Sequence, residues 1–97
     1  MARNSKGKSK EEKTLVRLLL ENDYSNTDFA MGRYVEDAVC FVKSDCGFEV
    51  YTACRGRKED LSLHMDFKEA VLAFLKELCC DDKEASKIYE EFIVNVG

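Results

Sequence analysis

Between residues 36 and 65 the chain reads as three short strand-like runs, and on both sides of that block its apolar residues recur at helical spacing. This double change of period confines the chain to a mixed architecture, because a pleated sheet needs a period of 2 and a helix a period of 3.6. The runs are 36–43 (EDAVCFVK), 48–55 (FEVYTACR) and 61–65 (LSLHM), all rich in residues that suit a pleated surface. Ser44, Asp45, Cys46 and Gly47 separate the first two as a short turn with glycine at its end. Closing that turn symmetrically pairs Lys43 with Phe48, Phe41 with Val50 and Val39 with Thr52. Directly opposed residues share a face, so Val39, Phe41, Phe48 and Val50 collect on one side of the hairpin. Ala38, Cys40, Val42, Glu49, Tyr51 and Ala53 collect on the other. A charged turn of Arg55, Gly56, Arg57, Lys58, Glu59 and Asp60 leads into the third run, where Leu61, Leu63 and Met65 are expected to alternate inward.

The flanking segments read as helices. Ser9 with Glu12 forms a capping box, and Leu15, Val16, Leu18, Leu19, Leu20 and Asn22 follow it over 9–22. The stretch 23–33 has turn formers and no sustained period, which predicts a loop laying Tyr24, Phe29 and Met31 against the core. Asp66 with Glu69 is a second cap signature, followed by a stripe of Phe67, Ala70, Val71, Phe74, Leu75, Leu78 and Cys79. Asp81 and Asp82 break that stripe, and a last helix over 83–94 should bury Ala85, Ile88, Tyr89, Phe92 and Ile93. The expected fold is α+β: a small three-stranded antiparallel meander with helices packed mainly on one face, in the order α-β-β-β-α-α. At 97 residues, with no internal repeat or dividing linker, one α+β domain over 9–97 follows a disordered basic tail at 1–8.

Charge narrows the function. Lys and Arg number 15 against 19 Asp and Glu, a net −4, and four of the basic residues (Arg3, Lys6, Lys8 and Lys10) lie in the first ten. Without them 11 basic residues face 19 acidic ones, so the body stands near −8. That balance argues against direct nucleic-acid binding, which needs surplus cations to displace counterions from phosphates. No run approaches the roughly 18 apolar residues of a membrane span. Nor does the start carry the apolar segment of a secretory signal, so a cytoplasmic protein is expected.

The candidate chemistry is sparse. The five cysteines (Cys40, Cys46, Cys54, Cys79 and Cys80) are an odd set, expected as free thiols, and none is spaced as the close pairs of a structural zinc site. Cys40 and Cys54 fall on opposite faces of the inferred hairpin. His64 is the only histidine and sits in a short strand, which makes a poor half of a nucleophile–base pair. The paired acids Glu36-Asp37, Asp81-Asp82 and Glu90-Glu91 are sequence neighbours whose side chains point apart. No phosphate loop or nucleophile elbow occurs. The chain is therefore expected to be non-enzymatic, with no catalytic residue, metal or cofactor. Its remaining candidates lie on the surface: Glu36, Asp37, Glu59 and Asp60 as an acidic patch for a basic protein partner, and the Tyr51 face with Glu49 as an interaction surface or dimer seam.

The segment 34–78 resembles one group of immunity proteins from bacterial polymorphic toxin systems. The resembling residues are Glu36-Asp37-Ala38-Val39-Cys40, Phe48-Glu49-Val50-Tyr51, Arg55-Gly56, and Glu69-Ala70 ahead of Phe74-Leu75. The group's second strand usually opens with Trp and its turn reads Glu-Arg-Gly; Phe48 and Cys54 stand at those places here. The resemblance implies a cytoplasmic protein that binds and neutralises the C-terminal domain of a cognate toxin, in many cases a nuclease with a basic cleft. Two other readings stay open: a small regulatory or adaptor domain that self-associates as a homodimer through the Tyr51 face, and a redox or metal sensor using Cys40, Cys46 and Cys54.

Overall fold

In a computed structural model, residues 10–96 are described; the basic tail at 1–8 and the capping Ser9 lie outside the described residues. The element order is α1 (Lys10–Glu21), β1 (Phe29–Met31), β2 (Val39–Ser44), β3 (Gly47–Cys54), β4 (Arg57–His64), α2 (Phe67–Cys79) and α3 (Asp82–Val96). The α+β class is as expected, but the sheet has four strands in the order β1-β2-β3-β4 and is mixed. β1 runs parallel to β2, pairing Phe29 with Val39 and Met31 with Phe41, inside the segment expected to be a loop. Three residues are too few to display an alternation. All three are buried, Phe29 and Met31 among the helices and Ala30 on the other side. A parallel connection usually takes a dozen or more residues. Here a three-residue strand is only ~10 Å long, so the seven residues from 32 to 38 bring the chain back.

The central hairpin has the register derived from its turn: Val39 opposite Thr52, Phe41 opposite Val50 and Lys43 opposite Phe48. Its loop shortens to Asp45 and Cys46, with Ser44 facing Gly47. Gly47 is required there, because a Cβ on it would overlap the backbone carbonyl of His64 on β4. The second hairpin departs further from expectation. Its turn is Arg55 and Gly56 alone, both at positive φ (54° and 75°), the backbone of a tight two-residue hairpin turn. The charged residues 57–60 belong to the strand.

A bulge then resets β4. Ser62 pairs with Val50 and Glu59 with Thr52, so Asp60 and Leu61 together oppose Tyr51, and Asp60 takes the left-handed φ of 54°. The extra residue shifts the alternation by one. Ser62 and His64 come to share the face of Phe48 and Val50. Leu61 and Leu63, expected to point inward, turn to the face away from the helices and stand 52% and 55% exposed, with Met65 beyond them at 80%.

The helices pack on one face, as the patterning requires. Leu15, Leu18 and Leu19 of α1, Ala70, Val71, Phe74 and Leu75 of α2, and Ala85, Ile88 and Phe92 of α3 form one core with Phe41 and Val50. Phe41 is its centre: its ring meets Phe48, Phe67 and Phe74 at centroid distances of 5.6, 5.8 and 5.7 Å. Leu20 lies outside the apolar stripe and is exposed, while Tyr89 and Ile93 are half-buried. The helix ends are set by side chains and left-handed residues. The Asp66 carboxylate accepts the Glu69 N–H (3.1 Å), and Cys80 closes α2 at φ 55°, donating its N–H to the Lys76 carbonyl. Asp81 caps α3, accepting the Lys83 N–H at 2.9 Å. No helix among the described residues is long and apolar enough to cross a membrane.

Candidate functional site

The expected interaction residues divide into three places. Glu36 lies in the β1–β2 connection, yet its carboxylate is committed to the β3–β4 turn. It accepts the backbone N–H groups of Arg55 and of Gly56 (the latter at 3.1 Å) and the Tyr34 hydroxyl at 2.9 Å. These donors, the Gly56 N–H first, hold the carboxyl below the usual range. Two of the resembling motifs, separated by about twenty residues, thus meet as carboxylate and turn amides. The geometry gives Glu36 a structural duty rather than a free charge.

Tyr51 is the second place, and the face expected as an interaction surface or dimer seam has its tyrosine covered. The residue is only 2% exposed, within a small cluster of Ala30, Ala38, Cys40 and Ala53. The connection 32–38 covers it: Tyr34 stacks on the Tyr51 ring at 6.0 Å, and Val35 packs on the same cluster. Lys58 adds a cation over the ring, its Nζ 5.1 Å from the ring centre and 3.0 Å from Glu49 Oε1. Burial first, then the neighbouring Cys40, pushes the Tyr51 hydroxyl up to about 12. Glu49 and Tyr51 therefore share a face through Lys58. Glu59 turns to the helix side, with only a long 3.8 Å approach to Arg57, and exposed Asp60 sits in the bulge.

Asp37 marks the third place. Its N–H donates to the Ala53 carbonyl at 2.8 Å, and its left-handed backbone (φ 67°) directs the chain into β2. It borders an open cleft of about 490 Å³ between the start of the sheet and the C-terminal end of α2. Asp28 and Glu77 are the other carboxylates of the lining, with Tyr24, Thr52 and Cys80, and among the described residues no lysine or arginine lines it. Two of the acids are held by hydrogen bonds: Asp28 accepts the Ser25 N–H at 2.8 Å within its turn, and Glu77 of α2 accepts the Thr52 hydroxyl of β3 at 2.7 Å. At the rim the Tyr24 hydroxyl donates to Glu84 at 3.0 Å. Burial, then the neighbouring Cys79 and Glu84, raises the Tyr24 pKa far above its ordinary value. Asp28 and Glu77 escape sequence reasoning because one precedes an unread strand and the other lies on the flank of a helical stripe. Only the Ser25-x-x-Asp28 turn spacing hints at an ordered carboxylate there.

The thiols stay apart. All five cysteines are free, with Cys40 buried and Cys46 and Cys80 exposed. Among the described residues no three of His, Cys, Asp and Glu are placed to share a metal ion. No family model, curated protein or solved structure matches the chain.

Proposed function

We propose that this chain is an immunity protein that binds the C-terminal domain of a cognate toxin and neutralises it by protein–protein contact, with the acidic cleft as its point of grip. One observation carries the reading: Asp28, Asp37 and Glu77 line an open cleft of about 490 Å³ to which no basic side chain among the described residues contributes. Such a cleft suits a Lys or Arg side chain presented by a basic partner surface. Opposite potentials speed encounter, and a charged hydrogen bond fixes register. A toxin that grips nucleic acid presents such a surface, and covering it would block the substrate's path.

The test starts from the gene beside this one. If a large protein is encoded there, its C-terminal domain is expressed alone and together with this chain, with growth and calorimetric binding as readouts; the absence of such a neighbour counts against the reading. The domain should arrest growth alone, and this chain should restore it. Asp37→Lys with Glu77→Lys should weaken binding by about a hundredfold, the scale of two lost charge-assisted contacts. Glu90→Lys with Glu91→Lys, on the exposed side of α3, should change it about threefold or less. Equal effects of the two pairs would remove the cleft from the mechanism, and a neighbouring domain that this chain does not bind would remove the immunity reading.

A further inference from the structure

The sheet ends at β4, whose outer edge pairs with no strand among the described residues. The two halves of that edge differ in kind. Before the bulge it carries Arg57, Lys58, Glu59 and Asp60, the charges by which sheet edges are kept from pairing. After the bulge it carries Leu61, Ser62, Leu63 and His64, leading to Met65. Of the six large apolar side chains that stand exposed among the described residues, three are Leu61, Leu63 and Met65. The bulge that turned these residues outward thus leaves a short, uncharged and apolar edge at the end of the sheet.

We infer that two copies of this chain join edge to edge along the second half of β4, antiparallel about a two-fold axis at Ser62. Symmetry limits the choice sharply. Opposed residues must point to the same face, and a two-fold axis exchanges the strands, so the axis must pass between a residue and its own copy. Centring on Asp60 sets two carboxylates face to face, and centring on Leu61 puts the charged Arg57 and Glu59 against Met65 and Leu63 of the other copy. Centring on Leu63 brings Asp60 to Asp66. Centring on Ser62 places each Leu61 against Leu63 of the second copy. It also sets each Asp60 beside the other's His64 and, farther out, each Glu59 beside the other's Met65. Within the strand, that register forms two Leu61–Leu63 pairs without opposing like charges, where the Leu61-centred one forms a single apolar pair. The seam is short, which places it below the roughly 1,200 Å² of a standard interface and makes the dimer a weak one. This pairing does not depend on the immunity reading, and the cleft acids Asp28, Asp37 and Glu77 lie off β4.

Sedimentation velocity of the full chain from about 5 μM to 1 mM tests it. The weight-average mass should climb toward that of a dimer, and Leu61→Lys with Leu63→Lys should hold it at the monomer while circular dichroism stays unchanged. Register is read with one added cysteine at a time, after replacing the exposed Cys46 and Cys80 and the half-buried Cys54 and Cys79 by serine, which leaves only the buried Cys40. Under a mild oxidant Ser62→Cys should cross-link to dimer several times faster than Leu63→Cys, since only residue 62 faces its own copy. A chain that stays monomeric at 1 mM, or a lysine double variant that still dimerises, overturns the proposal; faster cross-linking of Leu63→Cys overturns the register.

Discussion

Replacing Phe41 by alanine removes the side chain on which the sheet and the helices converge. The ring is fully buried and meets three other phenylalanines at 5.6–5.8 Å. A buried phenylalanine hides on the order of 150–200 Å² of apolar surface, worth ~4–5 kcal/mol, of which alanine keeps about a third. The net transfer loss is ~3 kcal/mol. The cavity and the lost edge-to-face contacts raise the cost toward ~5 kcal/mol, since Phe67 and Phe74 belong to helix α2 and cannot both collapse into the space. Urea unfolding followed by far-UV circular dichroism measures it, with Leu63→Ala as the control. Leu63 is 55% exposed and should cost less than ~0.5 kcal/mol. For a chain of this size the Phe41 variant should melt at least ~12 °C lower. A loss below ~1.5 kcal/mol, or one equal to that of the control, would mean that β2 does not turn Phe41 into the helical core.

Glu36→Gln should lower stability at neutral pH and have little effect in acid. The ionised carboxylate's contribution, present above its unfolded pKa, fades as pH falls through its lowered folded pKa. Urea midpoints of both proteins from pH 7 to pH 2.5 should therefore converge on acidification, and parallel curves would refute the turn-capping role. Gly47→Ala should destabilise by ~2 kcal/mol or more, because its Cβ overlaps backbone. Gly32→Ala, at φ 90° with open space around it, should cost only about 1 kcal/mol; thermal melts decide, and equal losses would refute the close approach to His64. Ellman's reagent should modify Cys46 and Cys80 first and Cys40 only on unfolding, with Cys79 slowed because burial pushes its thiol up; early modification of Cys40 would show that the loop 32–38 does not seal the second face.

The sequence by itself determined the features that depend on near neighbours along the chain. Helical stripes placed Leu15, Phe74 and Phe92 in one core, because residues three and four apart share a helix face whatever lies opposite. Symmetric closure of the turn from Ser44 to Gly47 set the register of β2 and β3, and the same pairings hold although the structure shortens the loop itself to Asp45 and Cys46. The Asp66 cap was equally local. Tertiary structure alone decided the rest. β1 exists because β2 offers an edge to three residues that carry no pattern of their own. The outward turn of Leu61 and Leu63 follows from one extra residue opposite Tyr51, a slip that alternation along β4 cannot register. The fate of the acids depended on distance in space: Glu36 became a cap because the β3–β4 turn amides stand above it, while Asp37, its neighbour in sequence, faces Glu77 across a cleft. Charge is legible in a sequence, but how much of a carboxylate's hydrogen-bonding capacity the fold takes up depends on the donors brought near it: three for Glu36, against the Thr52 hydroxyl for Glu77 and the Ser25 N–H for Asp28.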